Sequence, residues 1–346
     1  MKKIVLAIVI TVLFSISASA EEYTVPNPPI SAQQYMPDET DTFASGLWYI
    51  LKAAIKDLQP NLAEAGKVCL SLIALSLLVS IIKDFSNTAG SMIALLSSVC
   101  VATILLQSTN AMINLGIQTV MDLSEYGKLI LPVMTATLAA QGGITSSAAL
   151  YTGTVLFNTI LSSAISKLIV PMIYINLALS IGYSAIGEEV LKKLRDSIKW
   201  LITWSLKIAL YLFTGYLSIT GVVSGTVDAA KIKATKLAIS GMIPVVGNIV
   251  SDASETIIVS ASVIKNTAGI YGFLAMVAIW IGPFVQIGTQ YLLLKLTASI
   301  TQIFGAKEST NLTNDFSSTM GILVAMTGVT CLLFLVSFVC YLKGGG

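Results

Sequence analysis

From Met320 to Leu342 the chain runs without a single charged residue. At 1.5 Å per residue a helix over that run is roughly 35 Å long, enough to cross a hydrocarbon core of about 30 Å. Val68 to Ile82 and Met92 to Leu106 are similarly apolar, as are Trp200 to Val223 with Lys207 inside it, Ala268 to Phe304 with Pro283 and Lys295, and Ser147 to Ile186, broken only by Lys167 and Pro171. A chain of 346 residues with 55% apolar and 11% charged side chains falls well short of the roughly 25% charge of a soluble domain. It has too few charges to cover a water-soluble core of this size. The expected fold class is all-α: a polytopic membrane protein with about 6–8 helical spans.

Charge and reactive-residue counts exclude several functions. Twenty basic and 18 acidic residues leave a net charge of +2, without the concentrated basic face that nucleic acids require. With no histidine, Ser-His-Asp and Cys-His nucleophile systems and His-ligated zinc are ruled out. Cys69, Cys100, Cys331 and Cys340 lie in apolar runs without metal-ligand spacing and read as small buried hydrophobes. No phosphate loop or serine motif is present, so neither a catalytic residue nor a cofactor or metal site is expected.

The amino terminus has the form of a secretory signal peptide over residues 1–20. Lys2 and Lys3 precede the apolar Ile4 to Ile16, and Ala18-Ser19-Ala20 is a small-x-small cleavage site. An uncleaved first helix is the other reading, and both place residues 21–46 on the far side of the membrane. With Pro26, Pro28, Pro29 and Pro37, this stretch reads as an extended extracytoplasmic arm. Residues 47–128 hold a surface amphipathic helix (47–66) and the first spans. In that region Asn110, Asn114 and Gln118 recur at helical spacing, a stripe expected to face protein or water rather than lipid.

Residues 129–223 and 224–346 read as two halves of a membrane repeat. Ile130-Leu131-Pro132-Val133 resembles Met242-Ile243-Pro244-Val245, and Pro171 and Pro283 follow their prolines at equal spacing. Paired proline-bearing short segments point to discontinuous helices, with chance matching as the alternative. Residues 187–199 and 305–318 read as charged or polar loops. The positive-inside rule assigns 187–199 to the cytoplasm and asks the same of 224–236, although a span lies between them.

Between Gly221 and Lys265 the chain carries Asp228, Lys231, Lys233, Lys236, Asp252, Glu255 and Lys265. Asp228 and Lys231 share a helix face, as do Asp252 and Glu255. Charges beside hydrocarbon are costly unless paired or wetted. The block is therefore either the polar lining of a pore or a set of interhelical ion pairs, and the two stand level. The candidate pore or assembly residues are Asp228, Lys231, Lys236, Pro244, Gly247, Asp252, Glu255, Lys265 and Pro132.

Within this block, Lys236-Leu-Ala-Ile-Ser-Gly-Met-Ile-Pro-Val-Val-Gly247 and Ser251-Asp-Ala-Ser-Glu-Thr256 resemble the stage III sporulation protein AE family of endospore-forming bacteria. Ser224 to Asp228 and Lys265-Asn-x-x-Gly269 fit as well, and the resemblance extends over nearly the whole chain. It implies a multispan subunit of a channel-like, secretion-like complex in the mother-cell membrane around the forespore. Its partners would be other membrane proteins of the same operon and a forespore-membrane protein, in an oligomeric assembly on which late forespore gene expression depends. The family offers no catalytic residues to carry over. A stand-alone secondary transporter built on the repeat is the alternative, and a membrane enzyme is the weakest reading.

Overall fold

The computed structural model describes residues 26–37, 43–85, 90–140, 144–219 and 267–343. They form α1 (Ile30–Gln33), α2 (Phe43–Phe85), α3 (Gly90–Ala140), α4 (Ile144–Ala164), a π turn (Ile165–Ile169), α5 (Val170–Ile186), α6 (Glu189–Ile219), α7 (Thr267–Ile303) and α8 (Lys307–Lys343). Among the described residues, six helical stretches are long and apolar enough to cross a membrane, which bears out the all-helical, multispan expectation.

The rods are longer than the hydropathy runs. The surface helix at 47–66 and the span at 68–82 are one helix, α2, of 43 residues. The segments at 92–106, 107–120 and 129–140 are likewise one helix, α3, of 51 residues, about 77 Å long at 1.5 Å per residue. In apolar surroundings an interrupted helix leaves backbone groups without partners, so semi-polar stretches stay helical when neighbours hold them.

Pro132 lies inside α3 and does not break it, which corrects the expectation of a discontinuous helix there. A mid-helix proline costs about 3 kcal/mol. Here Ile130, Leu131 and Met134 are buried on either side of it, and the Thr135 hydroxyl lies 3.0 Å from that of Tyr341 on α8. Pro283 is also carried inside a continuous helix. Pro171 follows directly on the π turn, whose wider loop relieves the clash between a proline ring and the preceding turn.

Among the described residues the chain forms three antiparallel hairpins: α2 with α3, α4–α5 with α6, and α7 with α8. The helix ends at these connections gather at one end. Lys83 pairs with Glu308 at 2.5 Å, and the Ser97–Ser309 and Ser98–Ser184 hydroxyl pairs lie 2.8 and 2.9 Å apart. Two of the turns use a left-handed glycine, Gly187 (φ 80°) and Gly305 (φ 73°), a conformation that side-chain-bearing residues resist. At the far end Phe43 meets Phe273, and Tyr216 donates to the Ala149 carbonyl.

The expected loops at 187–199 and 305–318 are corrected to helix. Only Gly187–Glu188 and Phe304–Ala306 lie between helices there, and the charged residues open α6 and α8 with Glu189 and Glu308 in the first turns. Acidic residues near a helix start are favoured by the helix dipole. The helices bearing Pro171 and Pro283 run in the same direction, from the far end to the turn end. Pro244 and the rest of 220–266 lie outside the described residues, and the paired-segment reading of the repeat lies there with them.

α8 is the axis of the bundle. Phe316, Phe334 and Phe338 are fully buried, and α3 and α7 reach α8 through small residues. A β-carbon at Gly272 would fall 2.9 Å from Phe338, and one at Gly127 would overlap the Phe334 ring. Small residues at such crossings let backbones approach where no hydrophobic drive separates helix from lipid. Interhelical hydroxyl and amide pairs add direction: Thr154–Ser337 at 2.8 Å and Asn158 Nδ2 donating to Ser124 Oγ at 2.9 Å.

Candidate functional site

Eight of the nine candidate residues (Asp228, Lys231, Lys236, Pro244, Gly247, Asp252, Glu255 and Lys265) lie outside the described residues, and Pro132 is an exposed position inside the continuous helix α3. The expected polar stripe, by contrast, is on view. Leu105, Ile113, Val120 and Leu123 bury one face of α3. The opposite face exposes Gln107, Asn110, Asn114 and Gln118 along the helix. It continues to Asp122, which accepts from Gln118 Nε2 at 2.7 Å and from Ser31 Oγ of α1 at 3.1 Å.

At its inner end this track opens into a cleft of about 270 Å³ between α2, α3 and α7, lined in part by Asn61, Glu64, Gln107, Gln286, Thr289 and Gln290. Gln290 donates to Ser108 at 3.1 Å across it. The lining mixes hydrogen-bonding groups and one carboxylate with Ala65, Val68, Ile104, Ala111 and Met112. α7 contributes three of the hydrogen-bonding groups, none of which stood out in its apolar sequence.

Depth gives the track its meaning. Gly116 lies against Leu323 and Met326, and Gly127 against Phe334. Asn114 to Asp122 therefore stand level with the first half of the uncharged run of α8. Around and beyond the Asp122 end of the track, at the depth fixed by the Asn158–Ser124 and Thr154–Ser337 contacts, α4 and α6 expose Leu156 (50%), Ile160 (59%), Tyr211 (67%) and Leu212 (60%), while nearer the turn end the same flank exposes Lys167 and Lys207. Nearer the turn end, α2 and α3 are themselves apolar outside, with Leu70, Leu78, Ile81, Leu96 and Val99 exposed. The polar track thus starts part-way along the bundle and opens toward the far end. Amides and carboxylates left unpaired in hydrocarbon cost several kcal/mol each, so this flank is built to meet water or protein, while the outer surface of α4 and α6 around Leu156, Ile160, Tyr211 and Leu212 is built to meet lipid.

The arm lies over the far half of the same flank. Its described part, 26–37, is docked on the bundle and contains the short helix α1; 21–25 and 38–42 lie outside the described residues. Tyr35 packs on the α7 backbone at Gly282, where a β-carbon would lie 2.7 Å from its ring, and its hydroxyl donates to Asp57 Oδ2 at 2.7 Å. Burial first, and the Asp57 carboxylate second, push the Tyr35 phenol up to about 12. Asn27 accepts from the Tyr271 hydroxyl at 3.3 Å.

A second polar feature was hidden in the segments read as loops. The Arg195 guanidinium contacts both Asp196 (2.8 Å) and Asp315 (2.5 Å). Arg195 and Asp315 side chains are only 12% and 15% exposed, so this pair clamps α6 to α8.

The sequence profile of the stage III sporulation protein AE family matches residues 31–345. A relative in Bacillus subtilis (strain 168), itself named stage III sporulation protein AE, is 24% identical over 300 residues, covering 85% of this chain and 75% of the relative. No solved structure matches. The profile match takes in the whole of α2 through α8, and the chain belongs to the stage III sporulation protein AE family.

Proposed function

We propose that this chain is a non-catalytic, multispan subunit of a channel-like complex joining mother cell and forespore, needed for late forespore gene expression and spore development. It would sit in the mother-cell membrane around the forespore. Other membrane proteins of the same sporulation operon and a forespore-membrane protein would be its partners. Family membership supports the sporulation role. The observation that carries the channel reading is the polar track on α3, which lies at membrane depth on the outside of the fold. A solitary protein in lipid gains nothing from such a face, whereas a subunit whose neighbours complete a wet passage requires one. The charged block from Asp228 to Lys265 belongs to the same proposal as further polar lining.

The stand-alone transporter fits less well. Among the described residues the centre of the bundle is filled by α8, buried almost end to end from Met320 to Tyr341, rather than by a solute site. Cysteine labelling tests the channel reading. In a background lacking the four native cysteines, Asn114→Cys and Gln118→Cys should react with a membrane-impermeant maleimide in sporulating cells. Leu156→Cys and Leu212→Cys should not. If the track positions are as unreactive as the lipid-flank positions, with partners present and without them, the passage does not exist.

A further inference from the structure

At the turn end, on a flank away from the polar track, α6, α7 and α8 turn polar faces toward one groove. α8 supplies Lys307, Asn311, Asn314 and Asp315, four residues that share a helix face by spacing. α7 supplies Lys295, Ser299 and Gln302, again on one face, and α6 supplies Arg195 and Lys199. The α7–α8 part encloses a cavity of about 370 Å³ lined by residues including Lys295, Ser299, Gln302, Lys307, Asn311 and Asn314.

The charges here do not balance. Asp196 and Asp315 are both engaged by Arg195. Lys295 donates to Asn314 Oδ1, a neutral acceptor, at 2.6 Å. Among the described side chains no carboxylate lies within ion-pair distance of Lys199, Lys295 or Lys307. The groove therefore holds an excess of positive charge next to serine and amide hydrogen-bond donors, at the end where the 37-residue helix α8 starts, whose dipole is positive there. Its rim is apolar. Leu292 (57%) and Leu296 (59%) stand exposed beside Lys295 on α7, and Trp200 and Trp204 stack outside α6 with ring centroids 5.7 Å apart. Exposed tryptophans mark the headgroup depth of a bilayer.

We infer that this groove binds the headgroup of an anionic phospholipid. The phosphate meets Lys295 and Lys307, the asparagine and glutamine amides donate to its oxygens, and the acyl chains run along Leu292 and Leu296. Basic pockets between membrane helices take anionic headgroups for these reasons. The occupant is a lipid rather than a free anion because the cation pocket and the apolar rim are contiguous on one helix.

The test uses the purified full chain in neutral detergent, followed by native mass spectrometry during titration with phosphatidylglycerol or cardiolipin. Phosphatidylcholine and inorganic phosphate serve as the comparison arms. The parent chain should retain anionic lipid in clear preference to phosphatidylcholine. At about 1 kcal/mol per lysine, Lys295→Gln and Lys307→Gln should each weaken retention about fivefold. Both side chains are exposed, so neither change threatens the fold, and Lys52→Gln with Lys56→Gln on α2 should leave retention unchanged. Equal retention of phosphatidylcholine, unaltered retention in the Lys295 and Lys307 variants, or displacement of the lipid by millimolar phosphate would each overturn the inference.

Discussion

Individual side chains decide how closely these helices pack. Gly127 occupies the spot where α3 meets the Phe334 ring, and a methyl group there overlaps it. Overpacking of this kind costs about 1–3 kcal/mol. Gly127→Ala should lower the thermal midpoint in detergent, and Phe334→Leu in the same chain should recover much of the loss; additive losses would show that the two do not touch. The Arg195–Asp315 pair makes a different demand. Removing one partner strands a largely buried charge, at about 3 kcal/mol or more. Arg195→Ala should therefore destabilise more than the Arg195→Ala, Asp315→Ala double variant, as unfolding midpoints would reveal. Tyr35 ties the arm by the same logic in milder form. Its phenol is raised to about 12 in the folded chain against about 10 when free. The folded form holds the proton more tightly, so arm docking is fully supported below about pH 10 and weakens as pH climbs toward 12. Protease cleavage ahead of Phe43 should rise over that range, and in Tyr35→Phe this pH dependence should vanish.

Whole helices show which parts of the sequence were readable. Asn110, Asn114 and Gln118 were legible because four-residue spacing survives whatever surrounds a helix, and the structure leaves all three exposed. The starts of α6 and α8 were misread because dense charge in an apolar chain resembles a loop. What keeps them helical is contact between residues 120 apart, as with Arg195 and Asp315, and no local pattern announces such a partner. Pro132 misled for the same reason: the helix around it is held by α8, through Thr135 and Tyr341. The eight candidate residues between 220 and 266 lie outside the described residues, so the site now rests on α3. Because the track is polar and the α4–α6 surface at Leu156 and Leu212 is apolar, exchanging their characters should have opposite effects. Asn114→Leu with Gln118→Leu should leave the protein at normal levels in the membrane while lowering spore yield at least tenfold. Leu156→Asn with Leu212→Asn should reduce membrane accumulation itself, since each amide left facing lipid costs several kcal/mol. Immunoblots of membranes beside heat-resistant spore counts separate the outcomes, and full spore yield from the leucine pair would remove the track from function.

For the molecule as a whole, hairpin geometry forces a topology. All the described turns lie at one end, and the arm is bound toward the other through Asp57, Asp122 and Tyr271. Lys83, Lys192, Lys193, Arg195, Lys199 and Lys307 belong to the turn-end half, against Lys52, Lys56 and Lys128 in the far half. Lysine and arginine near span ends are retained in the cytoplasm, so that half faces the mother-cell cytoplasm under the proposed function and the arm faces the space toward the forespore. Polar track and arm then open on the same side, so a passage completed by neighbours leads toward the second membrane. Single cysteines test this without reference to activity. Glu188→Cys and Gly305→Cys should be blocked only by a reagent that enters the cytoplasm, although Gly305 also needs its left-handed backbone and Ala306→Cys serves if that variant is unstable. Asn27→Cys should be blocked by an impermeant reagent from outside. Labelling of residues 188 and 306 from opposite sides would contradict the hairpin fold, because both turns lie at one end of one bundle. Labelling of residue 27 from the cytoplasm would leave the fold intact and invert its insertion, turning the polar track away from the forespore and removing the physical basis for a passage between the two cells.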